Sequence, residues 1–275
     1  MFIVDSQVHL WDGGLAPPHH RQEPYLAEQA IRDMDAAGIT AAINQPPMWD
    51  PDSNRYAIEA AKRFPDRFAT LGWLRLDRAE APAQVRAWRQ QTGMIGLRFL
   101  CMAPDEQSWP TDGTMEWLWP LAERIGLPIA LCGPRLLPIV ERVASKHPGL
   151  KLTIDHLGFV GFTPQREFIQ AGNLLSWSRF ANVAVKLTGA PDYATDNYPF
   201  KSMHSVVRSL YDSFGPQRLF WGSDITRLRC TWNECVTMFT EEMEWLSPHD
   251  KALIMGEAFC EWHDWRPDHP ARQQG

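Results

Sequence analysis

Short apolar runs alternate along the chain with longer stretches in which apolar side chains recur every three or four positions. The first run, Ile3–Leu10, opens the chain. The others are Ile39–Asn44, Phe68–Leu74, Met94–Leu100, Leu127–Cys132, Leu150–Asp155, Val183–Leu187 and Arg218–Gly222. Runs of this length and composition predict β-strands. The helically spaced stretches predict helices over 27–37, 53–63, 81–91, 113–125, 135–146, 163–179 and 202–213, with two more between 231 and 260. Gly38 marks a helix stop, and Ser53 is a plausible helix N-cap. Continuously apolar strands alternating with helices imply a parallel sheet covered on both faces. Eight such units favour an α/β fold closed as a single-domain (β/α)8 TIM barrel over 1–265. An open doubly wound sheet is the alternative, but its phosphate-binding turn after the first strand would be Gly-rich, and Gln7-Val8-His9 stands there. The Pro- and Gln-rich tail, 266–275, reads as disordered.

Composition narrows the function classes. The chain has 275 residues, of which 44% are hydrophobic, enough for one large core. A net charge of −6 without a basic patch argues against nucleic acid as a partner. No apolar run approaches a membrane span, and no basic leader precedes Asp5. Cys101, Cys132, Cys230, Cys235 and Cys260 are odd in number and irregular in spacing, which reads as free thiols. A cytoplasmic protein is the expectation. The 13 tryptophans should serve core and pocket wall, and they leave room for a homo-oligomer interface.

Candidate chemistry gathers where the runs end. In the opening strand Asp5, Gln7 and His9 alternate, so they should share a face. Asn44, Arg98, Cys132, His156, Lys186 and Asp224 lie at or near the ends of later runs. A charge inside an apolar strand is costly unless it is paired or faces a wet cavity. Singly, each reads best as a structural ion pair or a helix cap. Together, at one end of a barrel, they form a ring of donors, imidazoles and a carboxylate.

The segments VDSQVHLWD, GLRF, IDHLG, VKLTG, LFWGSD and LIMGEAF, in that order, resemble the amidohydrolase superfamily. The similarity is greatest to its branch of 2-pyrone-4,6-dicarboxylate lactonase-like and sugar lactonase proteins. It covers nearly the whole chain and implies the same barrel. It also implies hydrolysis of an ester, lactone or amide bond, or decarboxylation of an aromatic acid. Many members hold one or two divalent metals through His-x-His on the first strand, further histidines, and an aspartate on the eighth. Here Gln7 replaces the first histidine, and Cys132 stands where metal-binding members have another. An amide oxygen is a poor zinc ligand beside an imidazole. Without a metal the resemblance implies Asp224 as the base toward water, with burial near Trp221 raising its pKa. His9, His156 and Gln7 would stabilise the oxyanion. Arg98 would bind a substrate carboxylate. Lys186, Arg227, Asn44, Tyr193 and His20 are further substrate-binding candidates, and Arg229 and His19 are weaker ones. The expectation is a metal-independent lactone or ester hydrolase acting on a small anionic substrate. The alternatives are a metal-dependent decarboxylase or amide hydrolase, with zinc or manganese on His9, His156 and Asp224, and an inactive barrel that binds a small acid.

Overall fold

The computed structural model of the chain describes residues 1–159 and 173–268. Eight parallel strands form one sheet in sequence order: β1 (Val4–Val8), β2 (Ala41–Asn44), β3 (Phe68–Gly72), β4 (Met94–Phe99), β5 (Ile129–Leu131), β6 (Leu152–Ile154), β7 (Val183–Lys186) and β8 (Leu219–Phe220). Every predicted strand is present, trimmed at its ends. β8 and β1 meet through Ser6 N–H donating to Trp221 O at 3.1 Å and Asp224 N–H donating to Gln7 O at 2.9 Å. Gly222 lies at this seam. A Cβ there would stand 2.6 Å from Ser6 Oγ and 2.5 Å from Thr188 Cγ2, so only glycine lets the strands approach so closely.

Side-chain alternation builds two cores. Outward residues such as Leu97, Ile129, Leu131, Leu152, Ile154, Val183 and Val185 pack beneath the helices. Inward residues Val4, Ile43, Ala69, Leu71, Ala130, Ala184 and Phe220 fill the barrel, and Phe2, Leu253 and Phe259 join them there. The inward positions of β5 and β7 are small low in the barrel, at Ala130 and Ala184. One step higher they become Cys132 and Lys186, and β6 has Asp155 at the same level. The small lower layer leaves volume for the Lys186 stem, and this side chain is fully buried. Buried Trp11, Trp88, Trp109, Trp119, Trp177, Trp221 and Trp232 meet the expectation for tryptophan in the core.

The first helix, Ala27–Ala36, ends at the Gly38 turn (φ +72°), as expected. Ser53 is the first residue of helix Ser53–Arg63, one position inside the expected cap. Helix Lys201–Phe214 matches its expected span. The stretch after β8 contains three α-helical pieces, Trp232–Thr237, Pro248–Ala252 and Ala258–His263, where two helices were expected. Thr231 and Glu234 form a reciprocal capping box on the first piece. Most of the helix expected at 163–179 lies outside the described residues, and its described end is one tight turn, Leu175–Arg179. The tail beyond residue 268 also lies outside them. Among the described residues no helix is long and apolar enough to cross a membrane.

The opening strand departs from simple alternation. One extra residue is accommodated between Asp5 and Val8, relative to β2. Asp5 therefore does not join Gln7 and His9. Its carboxylate accepts from Ser223 N–H at 2.9 Å and Trp232 Nε1–H at 2.8 Å, beside the seam. Burial raises its pKa to about 6 despite those bonds.

Stability should depend on pH through buried neutral histidines. His263 stacks on Phe259 with ring centroids 3.9 Å apart. Burial holds both His263 and His156 at a pKa of about 3. Their unfolded counterparts take up a proton below about 6.5, so each contribution is present above that pH. It is lost as pH falls toward 3, at up to about 1.4 kcal/mol per pH unit per histidine. Asp5 acts in the opposite direction below about 6, offsetting one of the two. The urea midpoint should therefore be lower at pH 5 than at pH 7.5. An equal or higher midpoint at pH 5 would contradict these assignments.

Candidate active site

The C-terminal ends of the strands surround a cavity of about 400 Å³. Met48, Trp49, Leu100 and Met102 form an apolar wall, while Gln7, His9, His20, Arg98, His156 and Asp224 supply polar groups. Asp224 and His156 both occupy the left-handed region, at φ 58° and 53°. Holding non-glycine residues there costs energy, and such strain clusters at functional sites.

Asp224 is at the centre of the polar set. His9 Nε2 lies 3.1 Å from its Oδ1, and His156 Nε2 lies 3.9 Å from its Oδ2. Arg227 Nε donates to Oδ2. Arg227 is held from behind by Asp192, with Nη1 to Oδ2 at 3.0 Å. Burial alone would raise the Asp224 carboxyl. Arg227, followed by His9 and His156, outweighs burial and holds it well below the usual carboxylate range. The sequence expectation of a raised pKa is therefore wrong in sign. Trp221 does not supply the invoked burial either. It packs in the outer core and donates Nε1–H to Cys235 O.

The two histidines differ in their partners. His9 Nδ1 donates to Gln45 O at 2.6 Å, so its contact with Asp224 is attractive only when Nε2 also carries a proton. His156 faces donors on both ring nitrogens. Gln7 Nε2 is 3.3 Å from its Nε2, and Arg227 Nη2 is 3.5 Å from its Nδ1. Thr188 Oγ1, which accepts the His156 backbone N–H at 3.1 Å, is 3.0 Å from Nδ1. Burial and then Arg227 keep this imidazole neutral.

Beneath the cavity a second network fixes Gln7. Lys186 Nζ donates to Gln7 Oε1 at 2.5 Å and pairs with Asp155 Oδ1 at 3.0 Å. Arg98 Nε donates to Asp155 Oδ2 at 2.6 Å. Burial opposes ionisation of Asp155, but Lys186 and then Arg98 bring its pKa down to about 2. With its oxygen held by lysine, Gln7 turns its NH2 toward His156.

Several expected substrate contacts are placed differently. Lys186 is fully buried and positions Gln7 without lining the cavity. Asn44 is also fully buried, and its Oδ1 accepts Leu10 N–H at 2.9 Å. Tyr193 packs at a tilt on Phe159, with ring centroids 4.5 Å apart, and lies against Arg227, behind the cavity. Arg227 grips Asp224 and Asp192, and Arg229 donates to the carbonyls of Pro191 and Ala194. Arg98, His20 and His19 do line the cavity. The sequence reading missed the site roles of Thr188, Asp192, Gln45 and Trp49. Thr188 could have been singled out by its place just beyond the β7 run. Nothing local marks Asp192.

Among the described residues, one group of three potential ligand side chains brings its ligand atoms within 4.8 Å of one another: Cys132, Asp155 and His156. The set His9, His156 and Asp224 is not convergent in this way. Asp155 is already paired with two cations, and burial pushes the Cys132 thiol up to about 11.

Comparison with known proteins agrees with this architecture. The amidohydrolase family model matches residues 4–268. The chain is 26% identical to L-fucono-1,5-lactonase of Burkholderia ambifaria over 294 residues, covering 99% of this chain and 98% of that protein. A zinc-bound amidohydrolase from Burkholderia multivorans superposes with a TM-score of 0.81 at 20% identity, covering 97% of this chain and all of that one. A probable 2-pyrone-4,6-dicarboxylic acid hydrolase from Acinetobacter baumannii, with citric acid bound, superposes at 0.78 and 16% identity, covering 96% and 100%. The family match spans every strand of the barrel and both residues of the His9–Asp224 pair, so the chain belongs to the amidohydrolase family of enzymes.

Proposed function

We propose that the protein hydrolyses the lactone, or a related carboxylic ester, of a small anionic substrate without a metal. The observation that carries this reading is the ionised Asp224 beside His9 in an apolar-walled cavity that also exposes Arg98. The similarity to a lactonase over nearly the full chain supports the bond type.

In this reading Asp224 accepts a proton from the attacking water. A carboxylate held so low is a weak base, so much of the rate must come from activating the carbonyl. The Gln7 amide, oriented through its contact with His156, and Arg98 supply the donors where negative charge develops. Arg98 spends only Nε on Asp155, and its Nη groups have no hydrogen-bond partner among the described residues. They remain for a substrate carboxylate or the oxyanion. Arg227 neutralises Asp224, which lowers repulsion between the base and an anionic substrate.

The donor set fits a divalent metal poorly. Arg227 occupies one Asp224 oxygen while the other, Oδ1, only faces His9 Nε2 at 3.1 Å, Lys186 holds the Gln7 oxygen, and the cations Arg98, Lys186 and Arg227 surround the site. A metal would have to displace these partners against that charge. Lactone hydrolysis measured before and after chelation, together with elemental analysis, tests the reading. The expected result is turnover unchanged by chelator and no stoichiometric metal. Bound zinc or manganese with activity lost on chelation would reassign His9, His156 and Asp224 as ligands.

A further inference from the structure

The connection from β1 to the first helix carries His20 over the active site. Its ring meets His9 edge-on, with centroids 5.2 Å apart and planes at 85°, and stands 4.8 Å from Trp49. Two bonds fasten it to the loop that bears Asp224. His20 Nδ1 is 3.0 Å from Thr226 Oγ1, and Arg21 N–H donates to Thr226 O at 2.6 Å. Thr226 follows Asp224 by two residues and is itself buried. The ring therefore cannot turn freely. Nδ1 is committed to the threonine, and among the described residues Nε2 has no hydrogen-bond partner, in a residue that lines the cavity.

We propose that His20 is a specificity-determining residue that hydrogen-bonds a hydroxyl group on the substrate ring through Nε2, with Thr226 as its positioning residue. This rests on the reading of the protein as a lactonase and narrows its substrate class to hydroxylated lactones. The chemistry favours a hydroxyl partner. Whichever way the Thr226 hydroxyl turns, Nε2 is either donor or acceptor, and a hydroxyl satisfies both. A carboxylate satisfies only the first, and Arg98 already offers that anion a better site. The rest of the wall near His20 is Trp49, Met48 and Pro17, which offers ring faces and aliphatic surface to the carbon skeleton.

The test uses two six-membered lactones, a hexonic 1,5-lactone and δ-valerolactone, which has the same ring without hydroxyls. His20→Phe keeps the contacts with His9 and Trp49 but removes both nitrogens. It should lower kcat/KM about tenfold more for the hydroxylated lactone than for δ-valerolactone, the effect of one neutral hydrogen bond. His20→Gln, whose amide reaches about as far as Nε2, should recover part of that difference. Thr226→Val frees the ring and should raise KM for the hydroxylated lactone more than it lowers kcat. Equal losses on both lactones in His20→Phe would make His20 a packing element and overturn the proposal. If the wild type turns over neither lactone, the hydrolase reading fails first. His20 is then judged by calorimetry with the open hexonic acid. Weaker binding by His20→Phe than by wild type supports the proposal, while equal binding, or none by wild type, overturns it.

Discussion

Asp224→Asn should lower kcat/KM by about 10²- to 10⁴-fold, the usual contribution of a positioned general base. The asparagine keeps the shape, and its oxygen can still accept from Arg227 or His9, so the cavity persists. What it loses is the ability to take a proton from water. Binding of the open hydroxy acid should survive within a few-fold, since Arg98 and the apolar wall are untouched. This separates the base from a structural role, in which binding and rate would fall together. A rate loss smaller than about tenfold would place the base elsewhere. Full retention of ligand binding by a wild-type protein that turns over no lactone would instead favour the inactive-barrel alternative.

Asp155→Asn should be the most destabilising single change in the barrel. Its carboxylate lies between Arg98 and Lys186, and all three side chains are nearly or wholly shielded from water. Removing one partner of a buried ion pair leaves an uncompensated charge and typically costs about 3–5 kcal/mol. For a chain of this size that corresponds to a drop in Tm of roughly 10 °C. Lys186→Met added to Asp155→Asn should recover much of the loss, because it removes one of the two orphaned cations and keeps the stem that fills the barrel. Thermal unfolding by circular dichroism checks both variants. A loss below about 1 kcal/mol for Asp155→Asn would mean that Arg98 and Lys186 find other partners.

The barrel was legible because its strands are buried on both faces, so apolar runs mark them without ambiguity. The polar residues ending those runs reach the mouth for the same reason: two residues along a strand turn a core position into a rim position on the same face. Which of them touch substrate was not legible. Lys186 and Arg98 look alike in sequence, each a cation within an apolar strand. Only the tertiary arrangement shows that Lys186 is sealed under Gln7 while Arg98 keeps its Nη groups in the cavity. The sign of the Asp224 shift went wrong because burial was weighed without Arg227, a residue three positions away that sequence reading placed at the substrate. The bulge that turns Asp5 toward the seam left no signal, because alternation in VDSQVH reads equally well without it.

The seam between β8 and β1 has a consequence for how the enzyme fails. Two backbone bonds and the Asp5 carboxylate close the barrel there, and one of those bonds is made by the amide of Asp224 itself. Local opening favours the region with the fewest cross-links. Opening of the seam would separate Asp224 from Gln7, so if Asp224 is the base, momentary opening and momentary inactivity would be the same event. Warming should therefore silence the enzyme well before its helices melt, and cooling should restore it without refolding.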